Sequence, residues 1–391
     1  MLGPFSIDAI FPAFPAMQLS FGAPAAAMQQ AISFYLAGFA GMSLLLGPLS
    51  DAYGRRRVIL ATLTVFWLAT IGAALASSLT LLLAWRLLQG CSAGAGMIVG
   101  RAIIRDCFAG ADAQRLMSQV NLIFGAAPAA APIVGGLIVA AAGWRAIFWA
   151  VAGFTALLLA ACVVWLPESL PPAQRAGLAP RRLASIYRRI TVDRGFMLLA
   201  AAAACNFAAL FVYIAAAPVF VLRLLQLSVR GFGWLFVPVI AGLMFGSLLA
   251  SRLAGRCGEA TIMRLGYRFI AAGWALDLLI SALQPQPRLP WAVLPLTVAG
   301  VGISLAFPTL TLLMLDRFPA NRGAAASLQA AISLAACSLV SGLLAPMVAG
   351  HASALALAAA ALALLGYGCW LAARRLLPSA PSAVPMARAP A

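Results

Sequence analysis

Twelve predominantly apolar stretches, near residues 1–20, 30–49, 58–77, 80–102, 116–140, 146–166, 195–222, 232–250, 266–283, 291–314, 323–349 and 353–373, leave this chain few ways to fold. About 20 apolar residues, wound as a helix, cross the ~30 Å hydrocarbon layer of a membrane. Within lipid the chain must satisfy its own backbone N–H and C=O groups, so each stretch is a helix. Charge is correspondingly scarce. Only 9% of the 391 residues are charged and 64% are hydrophobic, whereas soluble domains carry nearer a quarter charged residues. The expected fold class is an all-α polytopic membrane protein with twelve transmembrane helices.

The arginines orient it. All 26 basic residues are arginine, and with both termini cytoplasmic 21 of them fall on the cytoplasmic side. Arg145, Arg223, Arg230 and Arg288 fall outside, and Arg86 lies within a helix. The opposite orientation would invert that bias against the positive-inside rule. A multi-pass protein of the inner (plasma) membrane is expected. The net charge of +17 then serves topology and attraction to anionic lipid. It does not point to nucleic acid, because the arginines are dispersed over many short loops. Seven cysteines are scattered without CxxC pairs and none is in an outside loop, so neither a disulfide framework nor a metal site is implied. No cofactor is called for. The only histidine, His351, falls in an outer loop. A membrane enzyme would need paired carboxylates, a ligand cluster or a nucleophile with its base; the chain offers none.

The twelve helices divide evenly. Residues 1–166 and 195–373 are expected to form two six-helix bundles joined by a basic cytoplasmic linker, 167–194, and followed by a disordered tail, 374–391. The linker stretch "LPESLPPAQRAGLAPRRLASIYRRITVDRG" holds four prolines and six arginines, with "ASIYRR" a candidate for a short helix on the inner leaflet. Two related halves point to a secondary transporter with its site at the midplane between them.

One loop breaks the apolar pattern: Asp51 to Arg57 packs one carboxylate and three arginines into seven residues. The run Gly47-x-Leu49-x-Asp51-x-x-Gly54-Arg55-Arg56 resembles the loop 2–3 signature of the major facilitator superfamily. "LLLAWRLLQGCSAGAG", with Arg86, Gln89 and Gly90, resembles the fourth-helix motif of its proton-coupled members. "GAAPAAAPIVGG", with Pro128, Pro132, Gly135 and Gly136, resembles the fifth-helix antiporter motif, with Ala131 where many members have glycine. The start, "LGPFSIDAIFPAFP", is similar to the first helix of the Bcr/CflA group of drug:proton antiporters, including its aspartate, here Asp8. The resemblance covers essentially the whole chain. It implies the major facilitator fold, two pseudo-symmetric six-helix bundles that rock about a central site, and a working monomer.

Each motif has a physical reading beside the resemblance. Gly47 allows close packing at the end of helix two, and Gly54 supports a tight reversal. Asp51 is placed to face the positive end of a helix; in the family that helix is the eleventh. Arg55 and Arg56 can reach Asp106 after helix four. Together these residues are expected to latch the halves on the cytoplasmic face and to release when the protein opens inward. The bland alternative is a solvated turn that serves topology alone. Asp8 and Arg86 carry the sharper expectation, since ionisable groups at membrane depth are costly and usually line a pathway. They are the expected proton-coupling pair, with a static structural pair as the alternative. Asp8, Phe11 and Pro15 would share one face of helix one. Only seven residues precede Asp8, about 10 Å of helix, and no basic anchor flanks them. The native product is therefore expected to start upstream, or helix one to be short.

Tyr35, Phe39 and Met42 form a stripe on helix two, and Asn206 and Tyr213 another on helix seven. With Gln89 and with Asn121 on helix five, these are candidate substrate contacts, packing being the alternative. Asp277 on helix nine is expected to face lipid, snorkelling or paired. Pro128 and Pro132 should bend helix five. The resulting expectation is proton-coupled efflux of small, partly apolar compounds such as antibiotics. The alternative is a facilitator of one metabolite, such as a sugar or nucleoside.

Overall fold

The computed structural model describes residues 2–108, 110–175, 177, 179–254, 256–284 and 286–376, leaving out the side chains of residues 110, 111, 113, 114, 118, 121, 122, 124 and 174. The tail expected to be disordered lies, from residue 377 on, outside the described residues. The fold is all-α. We label the helices α1 (Leu2–Asp8), α2 (Phe14–Phe21), α3 (Ala25–Tyr53), α4 (Arg55–Ala74), α5 (Leu79–Cys107), α6 (Gly110–Ala142) and α7 (Arg145–Trp165). They continue as α8 (Pro180–Val192), α9 (Arg194–Ala215), α10 (Val229–Leu253), α11 (Glu259–Leu283), α12 (Leu294–Asp316), α13 (Pro319–Val348) and α14 (Ala352–Arg374).

Eleven of these elements are long and apolar enough to span a membrane. The expected first span is different: its residues form α1, a 3-10 turn at Phe11–Ala13 and α2, with a break after Asp8. Two prolines account for the break. Pro12 and Pro15 carry no N–H, so the carbonyls of Asp8 and Phe11 lose the donors that a continuous helix would supply. The expected single face through Asp8, Phe11 and Pro15 therefore does not exist.

Helices α3, α4 and α5 pack on one another, α7 packs on α4 and α6, and α1 lies against α6. After the linker, α9 packs on α12, α13 and α14, and α12 packs on α10 and α11. Among the described residues the groups meet most extensively where α3 packs on α13 and α6 on α10, and the Phe11–Ala13 turn also touches the start of α10. The linker itself contains α8, which rests on α9 and α13. We call the end of the bundle that carries the linker the linker face.

Described hydrogen bonds between α3 and the second group's helices cluster near the other end. Gln30 Nε2 donates to the Gly342 carbonyl at 2.7 Å, and Ser33 Oγ to that of Ser338 at 2.8 Å. Ser338 Oγ returns a bond to the Ser33 carbonyl at 2.8 Å, and Ser341 Oγ donates to that of Gln29 at 3.1 Å. Gln29 Nε2 reaches the Ala215 carbonyl at 3.5 Å. Polar side chains buried in lipid-facing bundles seek such partners because water cannot supply them. None of the described ion pairs at the linker face joins the two groups.

Candidate functional site

Asp8 sits at the broken turn of the first span and is buried, 6% exposed. Among the described residues no side chain hydrogen-bonds or ion-pairs its carboxylate. The backbone beside it is held from two sides. Gly135 of α6 lies against the Ala9 carbonyl so closely that any β-carbon there would collide with it. From α5, Arg86 Nη1 donates to the Ser6 carbonyl at 3.3 Å, two residues before Asp8.

Arg86 is fully buried. Its Nε donates to the Ala31 carbonyl at 3.1 Å, its Nη1 also to Gln89 Oε1 at 2.7 Å, and its guanidinium lies 4.3 Å from the centre of the Tyr35 ring. One amino group, Nη2, has no hydrogen-bond partner among the described residues. Stacking and carbonyls compensate a buried guanidinium without a counter-ion. Asp8 and Arg86 are thus neighbours on one scaffold but not an ion pair in this arrangement.

Most of the candidate substrate contacts are buried and have neighbours within their own group in this arrangement. Tyr35 is fully buried beneath Arg86 and donates to the Gly3 carbonyl at 3.1 Å. Phe39 is buried where α3 meets Gly94 of α5, and Met42 packs in a small apolar cluster with Leu46 and Val99. Gln89 donates to Thr70 of α4 at 2.8 Å. Asn206 donates to the Tyr267 hydroxyl at 3.2 Å, and Tyr213 donates to Asp277 at 2.6 Å, both across to α11. The helix-seven stripe therefore faces helix nine within its own group. The Asn121 side chain lies outside the described residues.

Asp277 is paired, one of the two expected outcomes, but it faces the bundle interior and not lipid. It is 3% exposed, paired with Tyr213, and Trp274 stacks on that same Tyr213 ring at 6.2 Å between centroids. A carboxylate in a low-dielectric bundle is better placed on an inward hydroxyl than in hydrocarbon. The signal was present: Tyr267, Ile270, Trp274 and Asp277 recur at one helical face, and all are buried.

The charged loop converges on Arg55, which is 8% exposed. Its Nε donates to Asp106 at 3.0 Å and its Nη1 to Ser50 at 2.6 Å and to Asp51. Its backbone N–H meets Glu168 of the linker at 2.9 Å. Gly54 makes the reversal at φ 100°, a region that side chains avoid. Arg56 does not join Asp106 but donates to the Val163 carbonyl at 2.7 Å. Gly47 has open space around it. Asp51 is not on the eleventh helix; its described partner is Arg55. Pro128 and Pro132 lie inside α6, which continues as α-helix through both. Gly136 approaches the Val229 carbonyl of the other group.

Two contributors carry no local sequence signal. Glu168 meets Arg55 113 residues away. Asp193 caps α9 through the Phe196 N–H at 2.6 Å and takes a two-pronged bond from Arg317 at 2.8 and 2.9 Å. That bond, with lesser help from the cap, holds the Asp193 carboxyl below its usual range against the opposing effect of burial.

A helix broken at a buried carboxylate, two groups of spans and an arginine-centred loop are the parts of a transporter, and comparison with known proteins agrees. The family model described as Major Facilitator Superfamily matches residues 1–346. A chloramphenicol resistance protein of Pseudomonas aeruginosa is 30% identical over 78% of this chain and 72% of its own length. A bicyclomycin resistance protein homolog of Haemophilus influenzae is 27% identical over 89% and 87%. Among solved structures, a bacterial homolog of the human lysosomal transporter Spinster, inward-facing and unoccupied, superposes with a TM-score of 0.72 at 15% identity, covering 95% of this chain and 94% of that one. The fold, the order of its motifs and the family match lead to one assignment: this chain belongs to the Major Facilitator Superfamily.

Proposed function

We propose that this protein exports small, partly apolar compounds, antibiotics among them, in exchange for protons, and that Asp8 is the carboxylate that carries the proton. The observation that carries this reading is the position of Asp8. It is buried at a helix break, makes no ion pair with a described residue, and its backbone is fixed by Gly135 and Arg86. A buried carboxylate in that setting is relieved by a proton or a cationic substrate. Proton and substrate then become alternatives at one place, which is what exchange requires. The Phe11 and Phe236 rings, 5.8 Å apart and from different groups, supply an aromatic surface next to it.

The arginine bias supports a cytoplasmic linker face and cytoplasmic termini in the inner membrane. On that assignment the seal between α3 and α13 is on the outside, and this arrangement faces inward. Residues 1–166 and 195–373 would then be the two rocking halves. In the state described here Arg55 keeps Asp51 and Asp106 within its own group, so the latch is disengaged. Closing the cytoplasmic face would carry Asp51 to the first turn of α13. A protein acting as a monomer suffices for this cycle.

Transport of one hydroxyl-rich metabolite is less well supported. Gln89 and Tyr213 are already engaged with Thr70 and Asp277, and Asn206 gives its amide N–H to Tyr267, so little of this set is left for sugar hydroxyls. The test is a susceptibility panel in an efflux-deficient bacterial host, with chloramphenicol and bicyclomycin included. Expression should raise resistance to at least one compound, and Asp8→Asn should abolish the gain. A panel unchanged by expression would overturn the reading.

A further inference from the structure

The linker helix reaches one backbone atom that the fold has left unpaired. Pro48 lies inside α3 and has no N–H, so the Leu44 carbonyl, four residues earlier, lacks its helical donor. The Tyr187 hydroxyl of α8 donates to that carbonyl at 2.7 Å. Burial pushes the Tyr187 phenol up, so the hydroxyl keeps its proton, and remains a donor, through the physiological range.

Tyr187 is carried by the second group. Along α8, Ile190 is fully buried and Ile186 and Tyr187 pack against the core, whereas Arg181, Arg182, Arg188 and Arg189 are exposed. The helix rests on α9 and α13, and the Ser327 side chain of α13 adjoins the Tyr187 hydroxyl. Among the described hydrogen bonds of α8, the one to Leu44 carries it over to α3.

Position then gives the contact a meaning. Leu44 lies eleven residues along α3 from Ser33, and Ser327 eleven residues along α13 from Ser338. Ser33 and Ser338 are bonded to each other at the far seal. Tyr187 therefore stands between the same two helices about 16 Å nearer the linker face, at 1.5 Å per residue. That is where α3 and α13 must approach if the linker face closes.

We propose that Tyr187 is a positioning residue, a strut between α3 and α13 that stabilises the arrangement open at the linker face and withdraws from Leu44 when that face closes. This role rests on the alternating-access reading above. The loss of one neutral hydrogen bond to a backbone carbonyl is of a size to change the ratio of the two states by roughly 3–10-fold.

The experiment is pulsed electron–electron distance measurement on the full chain in lipid nanodiscs. Spin labels go on Arg57→Cys and Arg264→Cys, both exposed and in different groups, in an otherwise cysteine-free background. Tyr187→Phe should enlarge the short-distance population by that factor. Pro48→Ala returns an N–H to the Leu44 carbonyl and so makes the strut redundant; in that background Tyr187→Phe should change nothing further. Two distances whose ratio Tyr187→Phe leaves unchanged, or effects of the two substitutions that simply add, would overturn the role of Tyr187 alone. A single distance in the wild-type protein, with and without chloramphenicol and at every pH from 5 to 8, would refute the two-state reading and the strut with it.

Discussion

Replacing Asp51 by Asn tests whether the arginine-centred loop is a latch. In the arrangement described here the Asp51 side chain is 48% exposed and its described partner is Arg55. A pair of that kind is worth about 0–1 kcal/mol, and Arg55 keeps Asp106 and Ser50 after the substitution. Folding and insertion should therefore be almost unaffected. In the closed arrangement, Asp51 would face the unpaired N–H groups of the first turn of α13. There the helix dipole contributes about 0.3–1 kcal/mol and a charge-assisted hydrogen bond roughly 1.5–3 kcal/mol. Asparagine keeps part of the second contribution and none of the first. The net loss is about 1–2 kcal/mol from the closed state alone, roughly 5–30-fold in the ratio of states. Labelling of Ala326→Cys, an exposed position early in α13, in a cysteine-free background would report it. The labelled fraction should rise and export should fall together. Unchanged labelling and unchanged export would refute the latch and leave the loop a topology signal.

Two further outcomes follow from particular contacts. Because the Asp193 carboxyl is held low by Arg317, its contribution to stability is fully present above the ordinary carboxylate range and is lost as pH falls through the lowered value. Asp193→Asn keeps the cap on α9 and should cost about 1–2 kcal/mol at neutral pH, a difference that shrinks below about pH 4. Thermal unfolding in detergent at several pH values checks this, and a cost that grows on acidification would contradict it. Gly135→Ala must push the Ala9 carbonyl and should cost about 1–3 kcal/mol by overpacking while displacing Asp8. Gly125→Ala, in open space, is the control, and equal export by the two variants would sink the positioning role of Gly135.

Most of the fold was legible because length and apolarity alone decide what crosses a bilayer. The loop chemistry was legible in part, since Arg55 and Asp106 are named by motif and lie at the same end of two neighbouring spans. The break in the first span was signalled by Pro12 and Pro15 but was obscured by the even hydropathy of the stretch. The partners of the helix-seven residues were hidden for a different reason. Periodicity shows that Asn206 and Tyr213 share a face without showing which neighbour it meets, and Tyr267 and Asp277 lie 61 and 64 residues away. Glu168, Asp193 with Arg317, and Tyr187 with Leu44 are likewise long-range pairings that no local pattern encodes.

The central claim, that Asp8 couples export to protons, is tested most directly in proteoliposomes with an imposed pH gradient and a compound from the resistance panel. If one proton enters per cycle, export of a neutral compound also moves one charge, which gains roughly 2.3 kcal/mol per 100 mV of membrane potential. Wild-type protein should accumulate the compound against its gradient, and should do so more steeply when the potential is added. Asp8→Asn should lose all uphill accumulation while still exchanging labelled for unlabelled compound at zero gradient. Uphill, pH-driven accumulation that survives in Asp8→Asn would contradict the account and transfer the proton to another carboxylate, with Asp277 the first to examine.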